Sequence, residues 1–179
     1  MAKKQILFGI TGGIAAYRAC DTISSLVKSG HEVRCVMTRG ATQFVTPLTF
    51  ETVSRQKAFT DLFDPHPFDK ALHIALAETA ELVVIMPASA NILAKARLGL
   101  ADDLLSSVLL SVTCPILIVP AMNTQMWENP ATQENIQVLR ERNYQFIDPI
   151  SGELTCGTTG VGHIAENDKI LDTIQNFLK

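Results

Sequence analysis

Apolar residues in this chain come in short runs, separated by stretches whose apolar positions fall at helical spacing. Gln5–Ile10 is a run of strand length, broken by Thr11-Gly12-Gly13. Ile14, Tyr17, Cys20, Ile23 and Val27 then recur three or four residues apart, which predicts one face of a helix. Ser29-Gly30 stops that helix, glycine being the usual terminator, and His31–Thr38 follows as a second strand. Strand, helix and strand within about 30 residues make a β-α-β unit, from which parallel sheets are built.

The alternation continues to the end of the chain. Thr46–Phe63 reads as mostly helical, Pro65-His66-Pro67 as a turn that forbids continuous helix, and Leu72–Thr79 as helix again. Leu82–Met86 is wholly apolar and partly β-branched, the pattern of a strand buried on both faces. Asn91–Ser111 is helical with an interruption near Gly99, and Cys114-Pro115 leads into a further buried strand, Ile116–Val119. Pro130–Arg142 is a helix with proline in its first turn, Tyr144–Ile147 a last short strand, and Asp168–Leu178 a terminal helix. The expected fold class is α/β: a single domain, 1–179, built as a three-layer Rossmann-like (flavodoxin-like) sandwich with a parallel sheet. One stretch stands apart. Asp148–Ala165 carries Gly152, Gly157, Gly160 and Gly162 with few apolar anchors, and reads as a long loop. Such loops in compact domains are usually functional, so it is either a flap over a site or a surface excursion.

Composition narrows the function. The 179 residues suit one domain with a sizeable core. At 47% hydrophobic and 18% charged, the chain has apolar residues enough for a subunit interface as well as a core. A net charge of −3 without a basic stripe leaves no nucleic-acid footprint. The longest apolar runs, Leu82–Ala88 and Ile116–Met122, fall short of the roughly 18 to 20 residues of a membrane span. The N-terminus lacks the pattern of a secretory signal, so a soluble cytoplasmic protein is expected. The four cysteines show no metal-ligand spacing, and no metal is expected. Cys20, Cys35 and Cys114 lie in or beside apolar segments and read as buried thiols. Cys156, between Thr155 and Gly157 in the glycine-rich stretch, reads as a proton donor or nucleophile.

Ligands of parallel α/β folds sit outside the carboxyl ends of the strands. Four loops leave such ends here: Thr11–Ala15, Thr38–Ala41, Pro87–Asn91 and Pro120–Trp127. Thr11-Gly12-Gly13-Ile14-Ala15 joins a strand to a helix N-terminus, where free N–H groups favour a phosphate; otherwise it is only a tight turn. It lacks G-x-G-x-x-G spacing, and Thr38-Arg39 stands where NAD enzymes tend to carry an acid, which favours a mononucleotide over NAD. Ser89 and Asn91 can hydrogen-bond the edge of a flat ring lying on the small residues around them, or Asn91 is only a helix cap. Pro120–Trp127 holds the single Trp and two of the five Met residues. Asn123 there suits a carboxylate or amide ligand; the alternative is a loop that packs Met and Trp into the core. His73 is either structural or the acid–base group near neutral pH.

The sequence resembles the homo-oligomeric flavin-containing cysteine decarboxylases over nearly its whole length. Pro120-Ala121-Met122-Asn123-Thr124-Gln125-Met126-Trp127 matches the family's P-x-M-N-x-x-M-W signature, and His73-Ile74 its active-site histidine. Gly152-Glu153-Leu154-Thr155-Cys156-Gly157 matches the substrate-clamp motif whose cysteine marks the coenzyme A branch, and Ala101-Asp102-Asp103-Leu104-Leu105 also fits. The clamp departs from the common pattern at Thr155 and at Gly162-His163-Ile164, where G-R-M is usual. The resemblance implies FMN as cofactor, bound by Thr11, Gly12, Gly13, Ile14, Thr38, Ser89, Asn91 and Met122. It implies a substrate, 4'-phosphopantothenoylcysteine, held by Ala121, Met122 and Asn123 and converted to 4'-phosphopantetheine. The implied chemistry oxidises the cysteine thiol to a thioaldehyde that can accept electrons as CO₂ leaves, then reduces the resulting enethiol. His73 serves the oxidative half, Asn123 holds the carboxylate or amide, and Cys156 protonates the enethiol. It further implies a homo-oligomer, a trimer or a dodecamer of trimers, with a histidine crossing the interface. Many members carry a C-terminal synthetase domain, so a separate synthetase polypeptide is expected to supply the substrate. The competing expectations are a related flavoprotein acting on peptidyl-cysteine or prenylating a flavin, and a non-catalytic regulatory relative.

Overall fold

The computed structural model describes residues 3–153 and 159–179. The chain opens with β1 (Gln5–Ile10), a tight helical turn at Ile14–Tyr17, α1 (Arg18–Lys28) and β2 (Glu32–Met37). It continues through α2 (Pro47–Ser54), β3 (Ala58–Phe59), α3 (Leu72–Thr79), β4 (Leu82–Ala88), α4 (Ala90–Leu98) and α5 (Leu104–Ser111). Next come β5 (Ile116–Pro120), α6 (Thr124–Glu128), α7 (Pro130–Glu141) and β6 (Gln145–Phe146). The antiparallel pair β7 (Ile150–Glu153) and β8 (Thr159–His163) follows, and α8 (Asn167–Phe177) ends the fold.

Six strands pair in parallel in the order β3-β2-β1-β4-β5-β6. Alternation along each strand feeds two separate cores. Ile6, Phe8 and Ile10, with Val33, Cys35, Met37, Val84 and Met86, face Ala19, Ile23 and Leu26 of α1, Phe50 of α2, and Ile170 and Ile174 of α8. Leu7, Val83, Ile85, Ile116 and Ile118 face the opposite layer: Leu72 and Leu76 of α3, Ile92 and Leu93 of α4, Leu104, Leu105 and Val108 of α5, and Ile136 and Leu139 of α7. This is the expected three-layer α/β sandwich. Gly9 sits on the second face because a Cβ there would approach Leu105 Cδ1 and Ile85 Cδ1 to 2.6 Å.

Three local expectations are corrected. The helix expected over Thr46–Phe63 stops at Ser54, where Arg55 turns left-handed at φ 57°, and Ala58–Phe59 joins the sheet edge instead. The loop expected over Asp148–Ala165 contains the β7–β8 hairpin. The helical face expected from Ile14, Tyr17 and Cys20 is rotated: α1 buries Ala19, Thr22, Ile23 and Leu26, while Ile14 is 53% and Tyr17 54% exposed. A 3₁₀ turn covers Ile14–Tyr17, and its three-residue winding resets the face before the α-helix begins. Among the described residues no helix is long and apolar enough to cross a membrane.

Candidate active site

The sheet order fixes where a ligand can enter. β1 lies between β2 and β4, and the connection to β2 runs over one face while that from β4 to β5 runs over the other. The loops leaving β1 and β4 therefore part, opening a crevice at the carboxyl ends of the strands. A cavity of about 350 Å³ lies there, within the usual range for small-molecule sites. Its walls come from four places: Gly12–Ala15 with Tyr17 and Arg18, Ser89–Ala90, Ala121–Asn123 with Met126, and Gly162–Ile164.

Thr11 ties the two diverging loops together. Its buried hydroxyl donates to the Pro87 carbonyl at 2.7 Å and accepts from the Ser89 N–H at 2.9 Å. Thr11 thus shapes the crevice without forming its wall. Ser89 lines the cavity and also caps α4, accepting from the Ile92 N–H at 3.4 Å. Asn91, one residue into α4, is exposed and is not among the lining residues; nor is Thr38, whose hydroxyl accepts from the Ala41 N–H at 3.3 Å.

The two glycines of the first loop do different work. A Cβ on Gly12 would come within 2.9 Å of the Gly40 carbonyl carbon, so Gly12 lets the loops after β1 and β2 close together. A Cβ on Gly13 would meet nothing within 4 Å, and its φ of 175° is open to any residue. Neither packing nor backbone geometry demands glycine at position 13. What it leaves bare is the cavity wall.

Across the crevice, Ala121 N–H bonds the Ala88 carbonyl at 3.2 Å and holds the β5 loop to the β4 end. Asn123 caps the short helix α6, accepting from the Gln125 N–H at 2.8 Å, which fixes the plane of its amide. Met122 and Trp127 pack against the second core, whereas Met126 is 49% exposed at the cavity. The packing reading of this segment therefore describes Met122 and Trp127, while Asn123 and Met126 stand at the cavity. The β8 strand lies directly over it. Met122 N–H bonds the Gly162 carbonyl at 3.1 Å, and a side chain on Gly162, whose φ is +147°, would collide with the Met122 carbonyl. Gly160 likewise leaves room for Thr124.

His73 is elsewhere. It lies near the start of α3 in a second depression, with Leu62, Asp64, His66 and Ser107 around it and Phe63 90% exposed at the rim. One chain does not bring His73 and Asn123 into one cavity. Cys156 lies outside the described residues. Cys35 is fully buried, and that burial pushes its thiol up to about 12, so it is inert packing; Cys20 and Cys114 are half-buried, and burial raises both. Tyr17, Arg18, Met126 and His163 line the cavity without having been singled out as binding residues. The signal for two of them was present: Tyr17 and Arg18 stand three and four residues after Ile14, which places all three on one side of a helical turn.

Residues 1–179 match the family model described as Flavoprotein. The chain belongs to the Flavoprotein family. This flavoprotein is 42% identical over 168 residues to the coenzyme A biosynthesis bifunctional protein CoaBC of Bacillus subtilis (strain 168), covering 94% of the chain and 41% of that protein. It thus spans about two fifths of that relative's length. Its fold matches that of a PPC decarboxylase mutant complexed with pantothenoylaminoethenethiol, with a TM-score of 0.89, 32% identity and 99% of both chains covered. It also matches the FMN binding protein AtHal3, with a TM-score of 0.86 and 33% identity over 98% of this chain and 97% of that one.

Proposed function

We propose that this flavoprotein is an FMN-dependent, cytoplasmic carboxy-lyase that converts 4'-phosphopantothenoylcysteine to 4'-phosphopantetheine in coenzyme A biosynthesis. The observation that carries the reading is the end-to-end match to the PPC decarboxylase complex, which covers 99% of both chains. The cavity fits a flavin mononucleotide. It is lined largely by apolar atoms of Ile14, Ala90, Met122 and Met126, and bare backbone at Gly13 meets it at a helix N-terminus, where N–H groups suit a phosphate.

FMN would be held by the Gly12-Gly13-Ile14 turn, Ser89 and Met122, with Thr11 tying together the loops that carry them, while Thr38 and Asn91, expected as cofactor-binding, stand outside the cavity wall. Bound FMN supplies two-electron acceptance and return, without which a cysteine carboxylate has no electron sink. Ala121, Met122 and Asn123 hold the substrate, and the capped amide of Asn123 meets its carboxylate. His73 of a neighbouring chain serves as the acid–base group of the thiol oxidation, completing a site that one chain leaves open. The exposed Phe63 beside His73, and the exposed Ile14, Tyr17 and Met126 at the cavity, give the two halves apolar surface to join. The assembly is a trimer or a dodecamer of trimers. Residues 148–165 act as the flap of a single decarboxylase domain, and Cys156 on it protonates the enethiol.

The test is to mix purified protein with 4'-phosphopantothenoylcysteine and follow product mass together with the visible flavin spectrum. A yellow protein that yields 4'-phosphopantetheine without net flavin reduction is expected. Accumulation of the enethiol would remove the role of Cys156. An untouched substrate would overturn the reading.

A further inference from the structure

Among the described residues that line the cavity, Arg18 alone carries a permanent charge, His163 is the other basic side chain, and none is a carboxylate. His163 is not equivalent to Arg18. Its Nδ1 lies 2.9 Å from the Ile164 carbonyl, which can only accept, so Nδ1 is engaged as a donor there and is turned away from a ligand. Arg18 opens α1, its side chain 27% exposed, and its own N–H is already bonded to the carbonyls of the preceding 3₁₀ turn, so the guanidinium is the group it offers to the cavity.

The counter-ion of Arg18 is poorly held. Glu166 Oε2 stands 3.7 Å from Arg18 Nη2, beyond normal hydrogen-bond length, and its side chain is 68% exposed. An exposed pair of this kind contributes little, while a planar guanidinium takes a phosphate through two parallel hydrogen bonds. Glu166 also has somewhere else to go. It is the N-cap residue of α8, and no side chain caps that helix. Released from Arg18, its carboxylate can turn to the α8 N-terminus.

We propose that Arg18 is the anion-binding residue of the cavity: it takes a phosphate monoester and exchanges Glu166 for it. Which ligand carries that phosphate rests on the function proposed above, since both FMN and a phosphorylated pantetheine have one.

Binding measurements separate the two sources and need no turnover. Dissociation constants would be measured for FMN and riboflavin by flavin fluorescence, and for 4'-phosphopantetheine and pantetheine by calorimetry, on the wild type, R18Q, R18K and E166Q. The wild type should prefer the phosphorylated member of at least one pair. R18Q should cut that preference about tenfold or more, R18K should keep part of it, and E166Q should raise it severalfold. A lost preference for FMN over riboflavin assigns Arg18 to the cofactor phosphate, and one for phosphopantetheine over pantetheine assigns it to the substrate. If R18Q leaves both preferences unchanged, or E166Q lowers the one that R18Q affects, the exchange is wrong. Failure to decarboxylate the cysteine substrate would overturn the proposed reaction without touching this result.

Discussion

Two adjacent glycines can be separated at the scale of single residues. Gly12 is needed by the protein, because any Cβ there presses on the Gly40 backbone, which has no flexible end to yield. Gly13 is required neither by packing nor by backbone geometry, and under the proposed function its bare backbone serves the cofactor. Gly12→Ala should therefore lower the stability of the flavin-free protein by about 1–3 kcal/mol, the cost of overpacking. Gly13→Val should leave the melting temperature of the flavin-free protein unchanged and weaken FMN binding about tenfold or more. The comparison must use flavin-free samples, since a ligand bound to the native state raises its apparent stability by itself. Thermal melts paired with flavin titrations read both effects. If Gly13→Val binds FMN like the wild type, the first loop does not cradle the cofactor.

At the scale of elements, the turn between α4 and α5 shows how the site's support is built. Gly99 ends α4 at φ +68°, and the Leu100 N–H reaches back to the Lys95 carbonyl at 3.0 Å. Asp103 then starts α5 by accepting from the Ser106 N–H at 2.8 Å, while Ser106 Oγ returns the contact to the Asp103 N–H at 3.0 Å. Lys95 Nζ lies 2.7 Å from both Asp102 and Asp103. Burial raises the Asp103 carboxyl, but the Lys95 ammonium and the Ser106 N–H and hydroxyl outweigh it and hold it below its ordinary value. A carboxylate depressed in the folded state contributes stability above its unfolded pKa and loses it as pH falls through the folded one. Asp103→Asn keeps an acceptor for the cap and removes the charge. Its deficit in urea denaturation should be present at pH 7 and shrink as the pH drops below about 4. Asp103→Ala should cost about 1 kcal/mol more at either pH, because the cap is lost as well. A deficit of Asp103→Asn that does not change with pH would exclude the charge as its cause.

The same elements show what the sequence could disclose. Leu72–Thr79 was legible to the residue, and so was the break at Gly99, because period and glycine punctuation agree there. β3 was not legible. It has two residues, and the left-handed Arg55 that frees it is a non-glycine with no local signature. The β7–β8 hairpin hid behind Gly152, Gly160 and Gly162, which argue for a loop by composition. Two of these serve the close approach to Met122 and Thr124 that only the folded chain reveals. The site was legible where the loops leave strands. Tyr17 escaped because it was counted on a buried helix face that the 3₁₀ turn rotates into the cavity, and Arg18, the next residue, turns to the cavity with it.

At the scale of the whole molecule, His73 and Asn123 line two separate cavities, so the proposed function requires an assembly that brings them together. In the proposed assembly, a face carrying Phe63 and His73 would meet the cavity of the next chain in a head-to-tail contact, which forms a ring where its rotation closes. Each site would then draw its cavity from one chain and its histidine from the next. His73→Asn and Asn123→Ala should each be inactive alone while retaining flavin. Coexpressed at equal levels, a cavity from a His73→Asn chain meets a histidine from an Asn123→Ala chain at about one interface in four, so decarboxylation should return to about a quarter of the wild-type rate. A site contained within one chain allows no such recovery, because every chain then lacks one of the two groups. Phe63→Glu supplies the independent arm: it should shift the assembly toward single chains in sedimentation and abolish turnover without touching any residue assigned to the chemistry. Activity in the separated chains, or silence in the coexpressed pair while the assembly stays intact, would return His73 to a structural role.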